Sequence, residues 1–246
     1  MSGRRRLGGL LDRRFLVGLA VLAAARLAFG ALGHVASGVE GAETLVASYG
    51  LVSTYLVATF VFVPVYVACV PGAFRPAESA VWVTRSGRAR ALGRCLRALV
   101  ARAASFSAVV TGVGLAVAAL RGPAPWDLTA WALFGSSTFL LQALFFLAIG
   151  LLMFAVRLLT GSGAYAALAA VAYGALDFVL SMTQASSNPL LWTGWFLTVV
   201  NEADGMTMEL AGCLRLAAGC AVLAAVCVWS MHDRDFLPEG GGAHEL

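Results

Sequence analysis

The chain has 246 residues, 60% of them hydrophobic and only 12% charged, with a net charge of +4 and a mean hydropathy of +0.85. Soluble domains carry roughly 25% charged and about 45–50% apolar residues, so this composition excludes an ordinary soluble domain and points to an all-α, polytopic membrane protein. The positive charge does not imply nucleic acid, because all 17 basic residues are arginine and they cluster beside apolar runs, where membrane topology accounts for them.

Arg4 to Leu16 interleaves arginines with Leu7, Leu10, Leu11, Phe15 and Leu16. That pattern predicts an interfacial amphipathic helix, the alternative being a disordered basic tail. Six apolar stretches of bilayer-crossing length follow: Phe15 to Leu32, Leu45 to Val70, Leu96 to Leu120, Leu128 to Val156, Gly163 to Met182 and Met208 to Met231. The first is too long for the core of a cleavable signal and lacks a clear small-x-small exit, so it is read as a span.

Between the second and third spans, Arg75 to Arg102 holds seven arginines and a single acid, Glu78. Pro76 suits the first position of a helix. Glu78 in the first turn and Arg85 at the last match the helix dipole, and Gly87 is placed to end the helix in the left-handed conformation. A short helix from Pro76 to about Arg85, carrying Val81 and Trp82, is expected there, followed by a turn and a basic lead into span three; a solvated basic loop is the alternative. Between spans five and six, Asn188 to Asn201 is apolar and aromatic but too short to cross. With Pro189 at its start and Trp192, Trp195 and Phe196 at interfacial spacing, it reads as a re-entrant outer helix. Residues 1–232 form a single transmembrane domain, and the Gly-rich tail, 233–246, is expected to be disordered.

Arginine distribution sets the orientation. Fourteen arginines (Arg4, Arg5, Arg6, Arg13, Arg14, the seven between spans two and three, Arg157 and Arg234) fall on one side, and Arg121 alone on the other. Both termini are therefore expected in the cytoplasm, in agreement with an even number of spans. The arginine-only, alanine- and glycine-rich composition fits a GC-rich bacterial genome and hence a bacterial plasma membrane.

No constellation for catalysis is visible. His34, His232 and His244 sit at span ends or in the tail, Thr160-Gly161-Ser162-Gly163 falls at a turn where glycine and serine are expected, and Asp177 has no second intramembrane aspartate. The cysteines Cys69, Cys95, Cys213, Cys220 and Cys227 show no zinc spacing. Cys213, Cys220 and Cys227 recur every seven residues and read as small packing residues on one helix face, with a redox or metal role as the alternative. Neither metal nor cofactor is expected, and the chain is not read as an enzyme. The embedded charges are Arg26, Asp177 and Arg215, which by default mark function or pairing. An ion pair between Arg26 and Asp177 is the preferred reading; a proton or substrate path through Asp177 is the alternative. Gln142 either faces a cavity or bonds a neighbouring helix. Gly112 and Gly114, with Ser105 and Ser107, form a small-residue surface suited to close helix packing.

This layout — amphipathic start, six spans, a short helix in the connection after span two, partial helices outside before span six — resembles the membrane subunit of a type-2 ABC exporter. The string Val81-Trp82-Val83-Thr84-Arg85-Ser86-Gly87-Arg88 resembles the region before span three in small permeases of bacteriocin and peptide-export systems. The resemblance implies a dimer, with a second copy or a sister permease, and separate ATPase subunits docked on the short helix. It makes Trp82, Val83, Arg85 and Arg88 candidates for coupling to the ATPase, and Trp192, Trp195 and Phe196 candidates for an outer gate. ATP hydrolysis would reside in the partner subunit. Membrane lipid is the remaining expected partner. An ion-coupled secondary transporter and a non-transport membrane assembly protein are the competing readings.

Overall fold

The apolar runs become helices. The computed structural model describes residues 12–32, 57–78, 83, 87–121, 128–184 and 206–233. They form α1 (Arg13–Leu32), α2 (Val63–Cys69), α3 (Arg75–Glu78), α4 (Arg88–Arg121), α5 (Leu128–Thr160), α6 (Gly163–Gln184) and α7 (Met206–Asp233). A π turn, Ala58–Phe62, leads into α2, and a 3₁₀ turn, Val70–Ala73, leads out of it. There is no strand among the described residues. Among the described residues three stretches, Arg88–Leu120, Trp131–Thr160 and Cys213–His232, are long and apolar enough to cross a membrane, and Ala58–Ala73 and Gly163–Val179 are shorter apolar helices. The chain reads as a helical membrane protein.

Two boundaries differ from expectation. The first span was expected to begin at Phe15, and α1 begins two residues earlier, at Arg13; of the amphipathic helix expected over Arg4 to Leu16, residues 4–11 lie outside the described residues. Asp12 caps α1, and Arg13 to Leu16 are its opening turn. The Asp12 side chain accepts the Phe15 N–H at 2.9 Å, and the Asp12 carbonyl accepts the Leu16 N–H at 3.1 Å. That is the geometry of an N-cap. Likewise α4 starts at Arg88 rather than near Leu96. Arginine, alanine and leucine are all strong helix formers, so nothing stops the helix from continuing back through the basic segment. Its 34 residues span about 51 Å at 1.5 Å each, well beyond a hydrocarbon core of about 30 Å. The helix is therefore long enough for its arginine-bearing turns to extend past a hydrocarbon core.

Turns fall where glycine permits them. Gly87 has φ +80° and donates its N–H to the Val83 carbonyl at 2.8 Å, just before α4; of the helix expected from Pro76 to about Arg85, only residues up to Glu78 and Val83 are among the described residues. Gly161 has φ +71° and donates to the Arg157 carbonyl at 2.9 Å. Ser162 then caps α6, its hydroxyl accepting the Tyr165 N–H at 3.5 Å. This tight α5–α6 turn accounts for the Gly-Ser-Gly string without chemistry.

Helix α5 lies at the centre, against α4, α6, α7 and α2. Lipid removes most of the hydrophobic drive between helices, leaving close packing and interhelical hydrogen bonds. Both are present. Tyr66, Phe106 and Phe146 form a ring cluster with centroids 4.8–5.0 Å apart, and Phe74 stacks on Phe154 at 5.0 Å. Each such contact contributes about 0.5–1.5 kcal/mol beyond area burial. Gly150 admits the Tyr66 hydroxyl and Leu99 where a Cβ would meet them at 3.0 and 3.1 Å. The Ser107 hydroxyl donates to the Phe139 carbonyl at 2.7 Å, and Thr111 donates to Gln142 Oε1 at 3.0 Å. Gln142 thus bonds a neighbouring helix. Gly112, by contrast, is exposed.

The cysteine heptad joins α7 to α5. Cys220 Sγ lies 3.5 Å from the Leu144 carbonyl and Cys227 Sγ 3.7 Å from that of Leu151. Both pairs have the same sequence offset of 76, so the two helices run parallel in one register. All five cysteines are free thiols, and no metal-binding cluster occurs among the described residues.

Candidate functional site

The buried stripe of α4 is Ala91, Cys95, Ala98, Leu99, Phe106 and Val110, and Arg102 lies on it. Arg88, Arg90, Arg94 and Arg97 fall on the exposed side. Helical spacing thus separates one arginine from its neighbours and drives it into the bundle. A buried guanidinium must be paired and hydrogen-bonded, and three elements converge to do this.

One element is the end of α2. Pro71 has no N–H, and the chain tightens there into the 3₁₀ turn. Phe74 N–H consequently bonds the Pro71 carbonyl at 3.1 Å rather than that of Val70, its partner in an α-helix. The Val70 carbonyl is left for Arg102 Nη1 at 3.2 Å, and the Cys69 carbonyl accepts from the same nitrogen at 2.6 Å. Cationic groups are favoured at helix C-termini for this reason. The second element is α1: Asp12 Oδ2 lies 3.3 Å from Arg102 Nη2, and the Phe15 ring lies beneath the guanidinium at 5.2 Å. The third is Gly72, where a Cβ would stand 2.1 Å from Asp12 Oδ2 and 2.9 Å from Arg102 Nη2. Only glycine leaves room for the carboxylate.

Burial by itself raises the Asp12 pKa. The Phe15 N–H, the Arg102 guanidinium and the more distant charge of Arg75 outweigh that and hold the carboxyl below its ordinary value of 3.8. Asp12 is therefore ionised at neutral pH, and it serves α1 as cap and Arg102 as counter-ion.

A second constellation lies deeper, around the π turn. Val63 N–H bonds the Ala58 carbonyl, five residues back. Pro64 follows at once, without an N–H and with a ring that would press on the Phe60 carbonyl in a regular helix. The widened turn relieves this. Single π turns recur at functional sites. Here the turn presents Phe62 to α1, with the Arg26 guanidinium 5.9 Å from the ring centroid. It presents Thr59 to α6, its hydroxyl donating to the Gly174 carbonyl at 3.5 Å. Gly174 lets the backbones approach, a Cβ there meeting the Val63 methyls at 3.1–3.2 Å. Phe60 meets Phe178 edge-on at 6.1 Å. Asp177 lies one turn beyond Gly174, 4% exposed, and Arg26 is 0% exposed.

Of the expected site residues, Arg26 and Asp177 are thus both buried on helices that share the π turn. Arg215 is half-buried on α7. Among the coupling candidates Val83 is buried in the core, so it packs inward rather than offering a docking surface. Arg88 is exposed, and its guanidinium donates to the His232 carbonyl, fastening the start of α4 to the end of α7. Trp82, Arg85, Trp192, Trp195 and Phe196 lie outside the described residues, as do Arg4 to Leu11 and the tail. Asp12, Gly72 and the π turn were not anticipated, and Arg102 was counted only as a topology marker. The α4 periodicity carried the signal for Arg102, and Pro64 and Pro71 carried it for the two irregular turns.

Compared with known protein families, curated proteins and solved structures, the chain matches none.

Proposed function

We propose that the chain is the permease subunit of an ATP-driven ABC exporter of the bacterial plasma membrane. It would have six spans, both termini in the cytoplasm, and a dimeric substrate path lined by the faces of α1, α2 and α6. The observation that supports this best is the Arg102 joint. One side chain ties the start of α1 and the end of α2 to α4, at the end where α3 and the exposed arginines of α4 project. A force applied there by a docked ATPase would reach two membrane helices through a single buried contact. The exposed apolar residues Leu27 on α1, and Leu168, Val171 and Val179 on α6, leave faces for a second permease. Arg85 and Arg88, with Trp82, are the proposed docking residues, and Trp192, Trp195 and Phe196 the proposed outer gate.

The test is purification of the tagged chain from its native membrane. An ATPase should accompany it and be lost with Arg85→Glu plus Arg88→Glu. Because Arg88 also holds the His232 carbonyl, Arg85→Glu plus Arg90→Glu serves as a second variant that spares the α4–α7 contact. A complex that survives both, with ATP turnover intact, removes the docking assignment.

The π turn favours one other reading. Broken helices beside buried charge are how ion-coupled carriers build their sites. In that case Asp177→Asn would abolish proton-driven uptake in vesicles lacking ATP, whereas the exporter reading requires ATP for any transport.

A further inference from the structure

Beside the Arg102 joint, α1 and α2 frame an open cleft of about 710 Å³. Its lining changes character along its length. Arg13, Arg14 and Arg75 stand at one end with Asp12, and Val17, Val21, Val65 and Ala68 form the wall that leads away from them. Arg13 and Val21 are eight positions apart on one helix, about 12 Å at 1.5 Å per residue. The cleft is thus polar at the end where the arginines project and apolar along the stretch that runs toward the middle of the bundle. Gly18 forms its floor, where a Cβ would stand 2.1 Å from Cys69 Sγ.

The charge at the mouth is unbalanced. Among the described residues Asp12 is the one acid in the lining, and its carboxylate is already committed to Arg102 and to the Phe15 N–H. Arg13, Arg14 and Arg75 are exposed and point a triple positive charge at whatever enters. Basic pockets between membrane helices are suited to anionic lipid headgroups. The volume falls within the range of ligand-sized cavities, about 300–1,000 Å³.

We propose that this cleft is a binding site for one anionic phospholipid, its phosphate between Arg13, Arg14 and Arg75 and its acyl chains along Val17, Val21, Val65 and Ala68. The apolar wall is what selects a lipid over a free phosphate. A seated lipid would brace α1 against α2 beside the joint that fixes their ends. The inference stands on the cleft and its charges, and it does not depend on the transport reading.

The experiment titrates fluorescent phosphatidylglycerol, and separately phosphatidylcholine, into the full-length protein in zwitterionic detergent. Wild type is expected to prefer phosphatidylglycerol. Arg13→Gln plus Arg75→Gln should lower that preference by about fivefold per arginine removed, the worth of one basic residue near an anionic surface. Val17→Trp, which fills the wall and leaves the arginines in place, should weaken both lipids. Gel filtration and thermal melting confirm that each variant is folded. Equal affinity of wild type for the two lipids overturns the proposal, and so does full preference in the double arginine variant. Displacement of phosphatidylglycerol by millimolar inorganic phosphate alone would also overturn it, since the site would then recognise phosphate without a tail.

Discussion

Asp12 and Arg102 are 90 positions apart in the chain, yet their side chains meet at 3.3 Å. The contact closes a three-helix joint. Asp12 starts α1, Arg102 lies on the buried face of α4, and the same guanidinium takes two carbonyls at the end of α2. A single cation thus completes the hydrogen bonding of one helix end and neutralises the cap of another.

Removing the cation should cost more than removing the anion. Arg102→Met leaves the Cys69 and Val70 carbonyls and the Asp12 carboxylate facing a thioether. Breaking a buried pair by losing one partner costs about 3–5 kcal/mol. Asp12→Ala removes a helix cap, worth about 1 kcal/mol, and the counter-ion as well, but Arg102 keeps its two carbonyls and the Asp12 side chain is 22% exposed, so water can take the place of the carboxylate at Nη2. Thermal unfolding in detergent should therefore rank wild type above Asp12→Ala and Asp12→Ala above Arg102→Met. Arg102→Lys should fall near Asp12→Ala, since an ammonium reaches the carbonyls but cannot fork between helices. A melt of Arg102→Met equal to wild type would mean that the joint holds nothing.

The same carboxylate gives the fold an acid limit. Its pKa in the folded protein lies below 3.8, the value expected when unfolded. The contribution of Asp12 is therefore complete above about pH 4 and is lost as pH falls through the lower folded value. Stability should be flat from neutral pH down to that point and then decline. Asp12→Asn should flatten part of the decline while lowering the plateau. The comparison needs melting temperatures at several pH values for both proteins; equal slopes below pH 4 would remove Asp12 from the account.

Two glycines should respond in opposite directions to the same substitution. At Gly72 a Cβ would meet Asp12 Oδ2 at 2.1 Å and Arg102 Nη2 at 2.9 Å, whereas at Gly93 it would meet nothing within 4 Å. Gly72→Ala should force the joint apart and lower the melting temperature. Gly93 lies inside α4, where alanine is better than glycine by about 0.5–1 kcal/mol, so Gly93→Ala should raise it. Destabilisation by both, to a similar extent, would show that helix propensity and the joint are not separable here.

These residues also mark how far sequence alone reaches. Hydropathy located the helices, because about 20 apolar residues in a row have few other fates. Glycine located the turns at Gly87 and Gly161, because both positions have positive φ. Arg102 escaped because the topology rule counts arginines without asking which face they occupy. Its neighbours at 88, 90, 94 and 97 face outward, and a count treats all of them alike. Asp12 escaped for a different reason. An N-cap is a local signal, but its second role depends on a partner 90 residues away, which no local pattern encodes. Arg26 and Asp177 stood out as charges among apolar residues. The π turn between their helices had only Pro64 to announce it.

The α5–α7 contact gives a prediction about reactivity. Cys220 and Cys227 are buried, with their sulfurs against the carbonyls of Leu144 and Leu151, while Cys213, one heptad earlier on α7, is half-buried. Cys69 and Cys95 are buried as well. Alkylation needs an accessible thiolate. In detergent, N-ethylmaleimide should therefore modify Cys213 first, and the other four only as the bundle opens. Peptide mass spectrometry over a time course resolves the order. Cys220 and Cys227 should gain label together, because the parallel register releases both when α7 leaves α5. Labelling of Cys227 at the rate of Cys213 in the folded protein would mean that α7 is not held along this face, and the packing reading of the heptad would fail with it.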